Sequence, residues 1–310
     1  FGRYFWFVSP APTDSEHLPG GAGCRFARQA STFLGTTVDL TISSQPGAAA
    51  TYRGSSTCLV CHADHSGFSS HAHRLGLTVP GTFGPLQDPS RYSGFDGNWN
   101  RFLPAATFAG GTPIYCSDFD PTRDTDKFRT SLTPPASPTI LKVWLWKDLA
   151  TGKFQITIEN IANPLDPASP KTLVVELTFG GAVWKQRNLV RVQGRRGLYP
   201  LLQWQREGDE SRFDRTRKVY RDYHLDWWWN PATSTLTDPP ASGTWDGSCT
   251  ACHATGFSRF QDPVTMEWLF GAVDDAQGDY DIDGNGTKNE INVGCEVCHG
   301  PGSDHVTWAA

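Results

Sequence analysis

The pentapeptide Cys295-Glu296-Val297-Cys298-His299 constrains this chain more than any other stretch, and its pattern recurs at Cys58–His62 and Cys249–His253. With 8 Cys and 9 His among 310 residues, chance would supply roughly 0.006 copies of C-x-x-C-H. Two thiols at this spacing can each add to one vinyl group of a porphyrin, and the adjoining histidine reaches the iron. The motifs therefore predict three c-type haems. Their attachment residues are Cys58 and Cys61, Cys249 and Cys252, and Cys295 and Cys298. The proximal ligands are His62, His253 and His299. Zinc is the rival metal for paired C-x-x-C. The gap from Cys252 to Cys295 is far longer than in a zinc ribbon, and zinc does not require a histidine after each second cysteine.

Each iron needs a sixth ligand or an open face. Methionine is excluded for most sites because Met266 is the chain's one methionine. The remaining histidines are His17, His65, His71, His73, His224 and His305. His65 lies about 4.5 Å from His62 along a helix and cannot reach the opposite face of the same porphyrin. His305 follows His299 across Gly300-Pro301-Gly302 and is too close to serve the third haem. It is expected to ligate a different iron, which would draw two haems together. His71 or His73 is the next candidate, and His224 or His17 would supply the last ligand. His224 sits in an aromatic run, Tyr220 to Trp229, and fits a satisfied core histidine equally well. His17 could reach a neighbouring subunit's haem and join subunits into a chain. Two histidine ligands give low-spin iron with no place for substrate and a lower potential than a His/Met pair. The expectation is an electron carrier, not an enzyme.

Asp279–Glu290 fits the calcium loop D-x-D-x-D-G-x5-E in full. Asp279, Asp281 and Asp283 would supply side-chain oxygens, Asn285 a carbonyl and Glu290 a bidentate carboxylate, with Gly284 making the turn. Gly286 stands where paired calcium-sensor loops carry an aliphatic residue, and no helical periodicity flanks the loop. One structural calcium is expected, not a sensor.

Composition bounds the rest. A formal charge of −5 gives no reason to expect a nucleic-acid partner, and no run is long enough for a membrane-spanning helix. With 31 Gly, 22 Pro and only 19% charged residues, secondary structure is expected to be short and loop-rich. Haems would then fill much of the interior, with the 12 Trp packing on their faces. The expected fold is mostly irregular and haem-packed, with short helices and an inserted antiparallel β module. Three regions follow: 1–135 with the first haem and long loops, 136–205 as the β module, and 206–310 with the second and third haems and the calcium loop. Within the module, Ile140–Trp146 and Lys153–Glu159 alternate around Asp148–Gly152 as a hairpin does, and Thr172–Phe179 and Asn188–Val192 add strands. Val38–Ile42 also alternates. Residues 80–135 read mostly as loops. Cys24 and Cys116 are left over, and an oxidising compartment would pair them; two buried thiols are the alternative. Covalent haem attachment takes place outside the cytoplasm, so an extracellular or periplasmic location is expected. The chain begins with Phe1, which suits a processed or partial chain.

The chain resembles the multihaem c-type cytochromes of bacteria and archaea. The likeness lies in Tyr52–Ser55 leading into Cys58–His62 and Phe68–His71; in Phe179–Arg187 with Leu201–Trp204; and in Trp245 leading into Cys249–Phe257, then Ile291–His305. It touches roughly residues 51–75 and 179–306. The resemblance implies bis-histidine haems in van der Waals contact, with His71 and His305 as distal ligands. It implies other cytochromes or redox proteins as partners. Some members polymerise into extracellular filaments that carry electrons over long distances. Members often hold four or more haems, and this chain has three motifs. The expected function is electron transfer as a subunit of a polymeric extracellular filament. The alternatives are a monomeric periplasmic shuttle, an electron-transfer subunit of a larger complex, and a multihaem oxyanion reductase. The last would need a haem with an open or lysine-bound face.

Overall fold

The alternation in residues 140–159 does form a hairpin, and that hairpin is the middle of a much larger sheet. The computed structural model describes residues 49–70, 76–81, 98–123, 126–180, 185–206, 218–245, 254–278, 280–283, 285–299 and 301–309. Ten strands make up the sheet. In chain order they are β1 (Leu77–Thr78), β2 (Leu103–Ala105), β3 (Thr112–Ser117), β4 (Arg129–Ser131), β5 (Thr139–Asp148), β6 (Phe154–Asn160), β7 (Lys171–Gly180), β8 (Lys185–Arg191), β9 (Leu198–Arg206) and β10 (Lys218–Arg221). The order across it is β10-β9-β8-β7-β6-β5-β3-β4, with β1 beside β7 and β2 beside β5. All pairs on the main path are antiparallel; β2 runs parallel to β5.

The two ends of the path meet. The Thr130 hydroxyl in β4 donates to the Tyr220 carbonyl in β10. The Phe128 N–H donates to Asp222 Oδ2 at 2.6 Å, just beyond each strand. The sheet is thus a nearly closed antiparallel barrel. Bulges at Cys116/Ser117, Val175/Leu177 and Arg187/Asn188 supply the local bends that closure needs.

Period-two alternation fills the barrel. Leu141, Val143 and Leu145 of β5 and Ile156 and Ile158 of β6 are fully buried, and Tyr199, Leu201 and Trp204 of β9 join them. Each such side chain contributes about 1.5–3 kcal/mol by leaving water. On the other face of β5, Trp144 and Trp146 pack with Ala105 and Phe108. The Trp146 indole donates to Thr157 Oγ1 at 3.0 Å, so its polar edge is satisfied.

The expectation of a mostly irregular, haem-packed fold is overturned. The described residues are dominated by strand, and the α-helices among them have 5, 5 and 7 residues. The barrel has its own aliphatic and aromatic core and needs no porphyrin to fill it. Strands β2, β3 and β4 fall inside the stretch read as loops. Pro104 and Pro113 sit within two of them, and Gly110 and Gly111 precede β3, which breaks up the alternation. The expected strand at Val38–Ile42 lies outside the described residues.

Two compact units divide the chain. The barrel belongs to residues 67–253 with 258–271. That unit also holds two small hairpins, β11 (Trp229–Asn230) with β12 (Thr235–Leu236), and β13 (Ser258–Gln261) with β14 (Trp268–Gly271). The other unit is built from residues up to Ser66, Ala254–Phe257 and Ala272–Ala310. It carries α1 (Ser55–Leu59), α2 (Cys295–His299) and α3 (Ser303–Ala309). Among the described residues no helix is long and apolar enough to cross a membrane. Cys116 is a fully buried thiol in the barrel core, held well above its ordinary pKa by burial, and Cys24 lies outside the described residues.

Asp222 closes the barrel seam by accepting the N–H groups of Phe128 and Leu225 at 2.6 and 2.9 Å. Burial, with Asp226 and Asp126 nearby, pushes its carboxyl up to about 7. The folded protein then binds a proton more tightly than the unfolded chain does. The stabilisation is present in full below the ordinary carboxylate range and is lost as pH rises toward 7. Melting temperatures measured from pH 4 to pH 8 should fall with a steeper slope in the wild type than in Asp222→Asn. Equal slopes would show that Asp222 does not titrate in this window.

Candidate haem-attachment site

A five-residue helix is too short to stand alone, so α1 must be held from outside. Three carboxylates hold its start. Glu296, the first variable residue of the third motif, accepts the Arg53 N–H at 3.0 and 2.9 Å on its two oxygens. The same carboxylate accepts the Gly54 N–H at 2.7 Å and, from the other side, the Gly302 N–H at 2.7 Å. Glu290 Oε2 accepts the Ser55 N–H at 3.2 Å. Asp275 accepts the Ser56 N–H at 3.1 Å and the Ser56 hydroxyl at 2.6 Å. Four consecutive N–H groups, from Arg53 to Ser56, thus end on carboxylates. These are the donors a helix start leaves without internal partners, and its partial positive charge favours anions there.

Close packing makes two glycines necessary. Gly54 has φ of +80°, and a Cβ there would come within 2.6 Å of Asp275 Oδ2. A Cβ on Gly294 would overlap the Glu290 carboxylate.

The same contacts bring the first and third motifs together. Ser55 Oγ accepts the Cys295 N–H at 2.9 Å. Cys58 lies one turn along the same face of α1, its thiol 3.7 Å from the Gly54 carbonyl and with Cys295 among its neighbours. Burial first, then Cys295, Glu296 and Glu290, push the Cys58 thiol up to about 11. Cys61 is exposed, as is His62, whose N–H donates to the Cys58 carbonyl at 3.0 Å. Cys298 and His299 lie on α2.

His305 lies on α3, and that helix starts beside the first motif's approach. Thr51 donates its N–H to Ser303 Oγ at 2.9 Å and accepts the Ser303 N–H at 3.1 Å. Cys249, Cys252 and His253 are outside the described residues. The chain just after them is anchored here too. Thr255 is fully buried; its hydroxyl donates to the Asn292 carbonyl at 2.9 Å and accepts the Gly294 N–H at 2.7 Å. Segments adjoining the first and third motifs, and the four residues just after the second, therefore share one unit, while residues 67–253 belong to the barrel unit.

The loop before Cys295 is folded by its own side chains. Asp281 accepts the N–H groups of Asn285 and Gly286 at 3.2 and 2.9 Å, and Asp283 accepts that of Asn285 at 3.1 Å. Asn289 accepts the Ile282 N–H and donates to Asp274, both at 2.8 Å. Asp279 and Gly284 are outside the described residues. Glu290 is fully buried, with Oε2 on the start of α1. Among the described residues, His62, Asp64 and His65 are the one group with three potential ligand atoms within 4.8 Å of one another, and all three are exposed.

His224 belongs to the barrel unit. Its backbone is left-handed, with φ of +58°, and its ring stacks on Trp227 at 3.9 Å. It lines a cleft of about 90 Å³ with Tyr223, Trp227 and Trp245. Burial first, then the Arg187 charge, lowers its pKa to about 4. The ring is therefore neutral near pH 7, the form that ligates iron. His17, His71 and His73 are outside the described residues.

Sequence reasoning did not find Glu296, Asp275, Ser55, Thr255 or Ser303 as parts of this site. Their signal was three small polar residues and two carboxylates in and around the motifs, which carry no periodicity. No protein-family model, curated protein or solved structure matches the chain.

Glu296→Ala would leave the N–H groups of Arg53, Gly54 and Gly302 without their carboxylate partner. The expected loss is about 3 kcal/mol or more in urea unfolding of this unit. Glu296→Gln, which keeps one acceptor oxygen, should lose less. Equal and small losses in both variants would show that the carboxylate does not hold α1.

Proposed function

We propose that the chain is an electron carrier that attaches c-type haems at its three C-x-x-C-H motifs. The observation that carries this reading is the pairing of α1 and α2, two motif-bearing segments fixed against each other by a shared set of buried carboxylates. The residues suit the group. At the first motif Cys61 and His62 are exposed and so open to an incoming porphyrin. A bound haem supplies a one-electron iron couple. The chain's part is to hold it: Cys58 and Cys61, Cys249 and Cys252, and Cys295 and Cys298 by thioether bonds, with His62, His253 and His299 on the proximal side.

For the distal side, the anchoring of α3 on Thr51 favours His305 as ligand to the first motif's haem. His224 is favoured by its neutral ring and by its place in a cleft with Trp245, four residues before Cys249. His71 and His17 are the other candidates. Asp281, Asp283 and Asn285, with Asp279 and Glu290, are proposed to take one calcium ion. Covalent haem implies a location outside the cytoplasmic membrane and redox proteins as partners. Assembly into a filament rests on the family resemblance, and negative-stain microscopy of purified protein tests it.

Purified protein should show three haems per chain by pyridine haemochrome and mass. Its visible spectrum should be low-spin in both redox states and unchanged by cyanide or carbon monoxide. A ligand-binding high-spin fraction in the wild type would overturn the bis-histidine reading and favour a reductase. His305→Ala should turn about one third of the haem high-spin and cyanide-reactive, since it opens one iron of the three.

A further inference from the structure

We propose that Cys58 and Cys295 are a cross-motif redox pair: in the chain without haem they form a disulfide that joins the first motif to the third. The placement is specific. Ser55 Oγ receives the Cys295 N–H at 2.9 Å, and Cys58 is three residues further along α1, on the same face. Cys295 is among the neighbours that raise the Cys58 thiol, and both cysteines are half-buried, while Cys61 is exposed. Glu290, Glu296 and Asp275 fix the backbone beneath Cys58. Chain connectivity does not bring the two thiols together, because Ser55 and Cys295 are 240 residues apart in sequence. In an unfolded chain, loop closure would favour Cys58 with Cys61 instead.

The oxidant belongs to the thiol–disulfide exchange class, represented by glutathione disulfide. One cysteine thiolate attacks its S–S bond, forming a mixed disulfide and releasing one thiolate. The second cysteine thiolate attacks the mixed disulfide at the cysteine sulfur. The Cys58–Cys295 bond forms, a second glutathione thiolate leaves, and the two protons lost by the cysteines end on the two glutathione thiols.

The consequence for loading rests on the haem attachment proposed above, whereas the cross-link does not. A sulfur held in a disulfide has no S–H to add across a vinyl group. One reductive event then frees a cysteine in the first and the third motif together, while the second motif is unaffected.

The full chain, produced without haem attachment, would be equilibrated with glutathione disulfide, alkylated and mapped by peptide mass spectrometry. The Cys58–Cys295 link should be the main product involving Cys58 and should fall about tenfold in urea. It should persist in Cys61→Ser and vanish in Cys295→Ser. A dominant Cys58–Cys61 link of equal yield in native buffer and in urea would overturn the proposal. A second measurement uses chains produced with haem attachment but with thiol reductant withheld, with haem-bearing peptides counted by mass. Loading at the first and third motifs should drop together while the second persists; a drop at only one of the two would also overturn it. A chain that takes up no haem at any motif yet shows the cross-link would sink the functional reading and leave the pair standing.

Discussion

Everything in the motif-bearing unit depends on the meeting of buried carboxylates with the N–H groups that open α1. Glu296 and Glu290 are 2% and 0% exposed, so each has given up nearly all of its hydration. A carboxylate in that position is tolerable only if donors replace the water, and an isolated one would cost several kcal/mol. Here the donors are backbone groups that would themselves be unsatisfied. Each side removes the other's penalty, which makes the arrangement close to all-or-none. The first and third motifs are thereby set on backbone that cannot shift without exposing either a charge or a row of N–H groups.

The barrel unit solves a different problem. Its interior is closed by side chains in period-two register, and its seam is closed by Thr130, Phe128 and Asp222. Aromatic residues that composition suggested for packing against porphyrin are spent largely in this interior: Trp204 and Trp228 are fully buried there, and Tyr199 with them. The Tyr199 hydroxyl donates to buried Glu267 at 2.6 Å and accepts from Arg195 at 3.0 Å. A polar residue inside the barrel is thus satisfied by protein, not by a cofactor.

The parts of this molecule that repeat or alternate were legible in its sequence. C-x-x-C-H is read directly, and the β5–β6 hairpin follows from Ile156 and Ile158 alternating with Gln155 and Thr157 around a turn at Gly152. Strands β3 and β4 were hidden because they are short, and the first contains Pro113, whose ring gives no ladder donor. The carboxylate frame was hidden for another reason. Glu296 meets Arg53 across 243 residues of sequence, and a side chain bonding to backbone leaves no pattern in either partner. Gly54 could be recognised only once its positive φ and the nearness of Asp275 were known. The calcium-loop pattern was legible as a string, but the inward turn of Glu290 onto Ser55 was not.

The motif-bearing unit is discontinuous: its parts come from before Ser66, from Ala254–Phe257 and from beyond Ala272, with the barrel segments between them. A chain made from its N-terminus presents Cys58, Cys61 and His62 long before Asp275, Glu290 and Glu296 exist. Most of the barrel can be complete by then, since its ten-stranded sheet ends at Arg221. The first motif therefore waits as an unsupported segment for about two hundred residues and gains its helix only when Asp275, Glu290 and Glu296 arrive. Order of birth and order of folding are inverted at this site, and long-range closure of that kind is slow. During that interval Cys58 and Cys61 are exposed to whatever the compartment offers them.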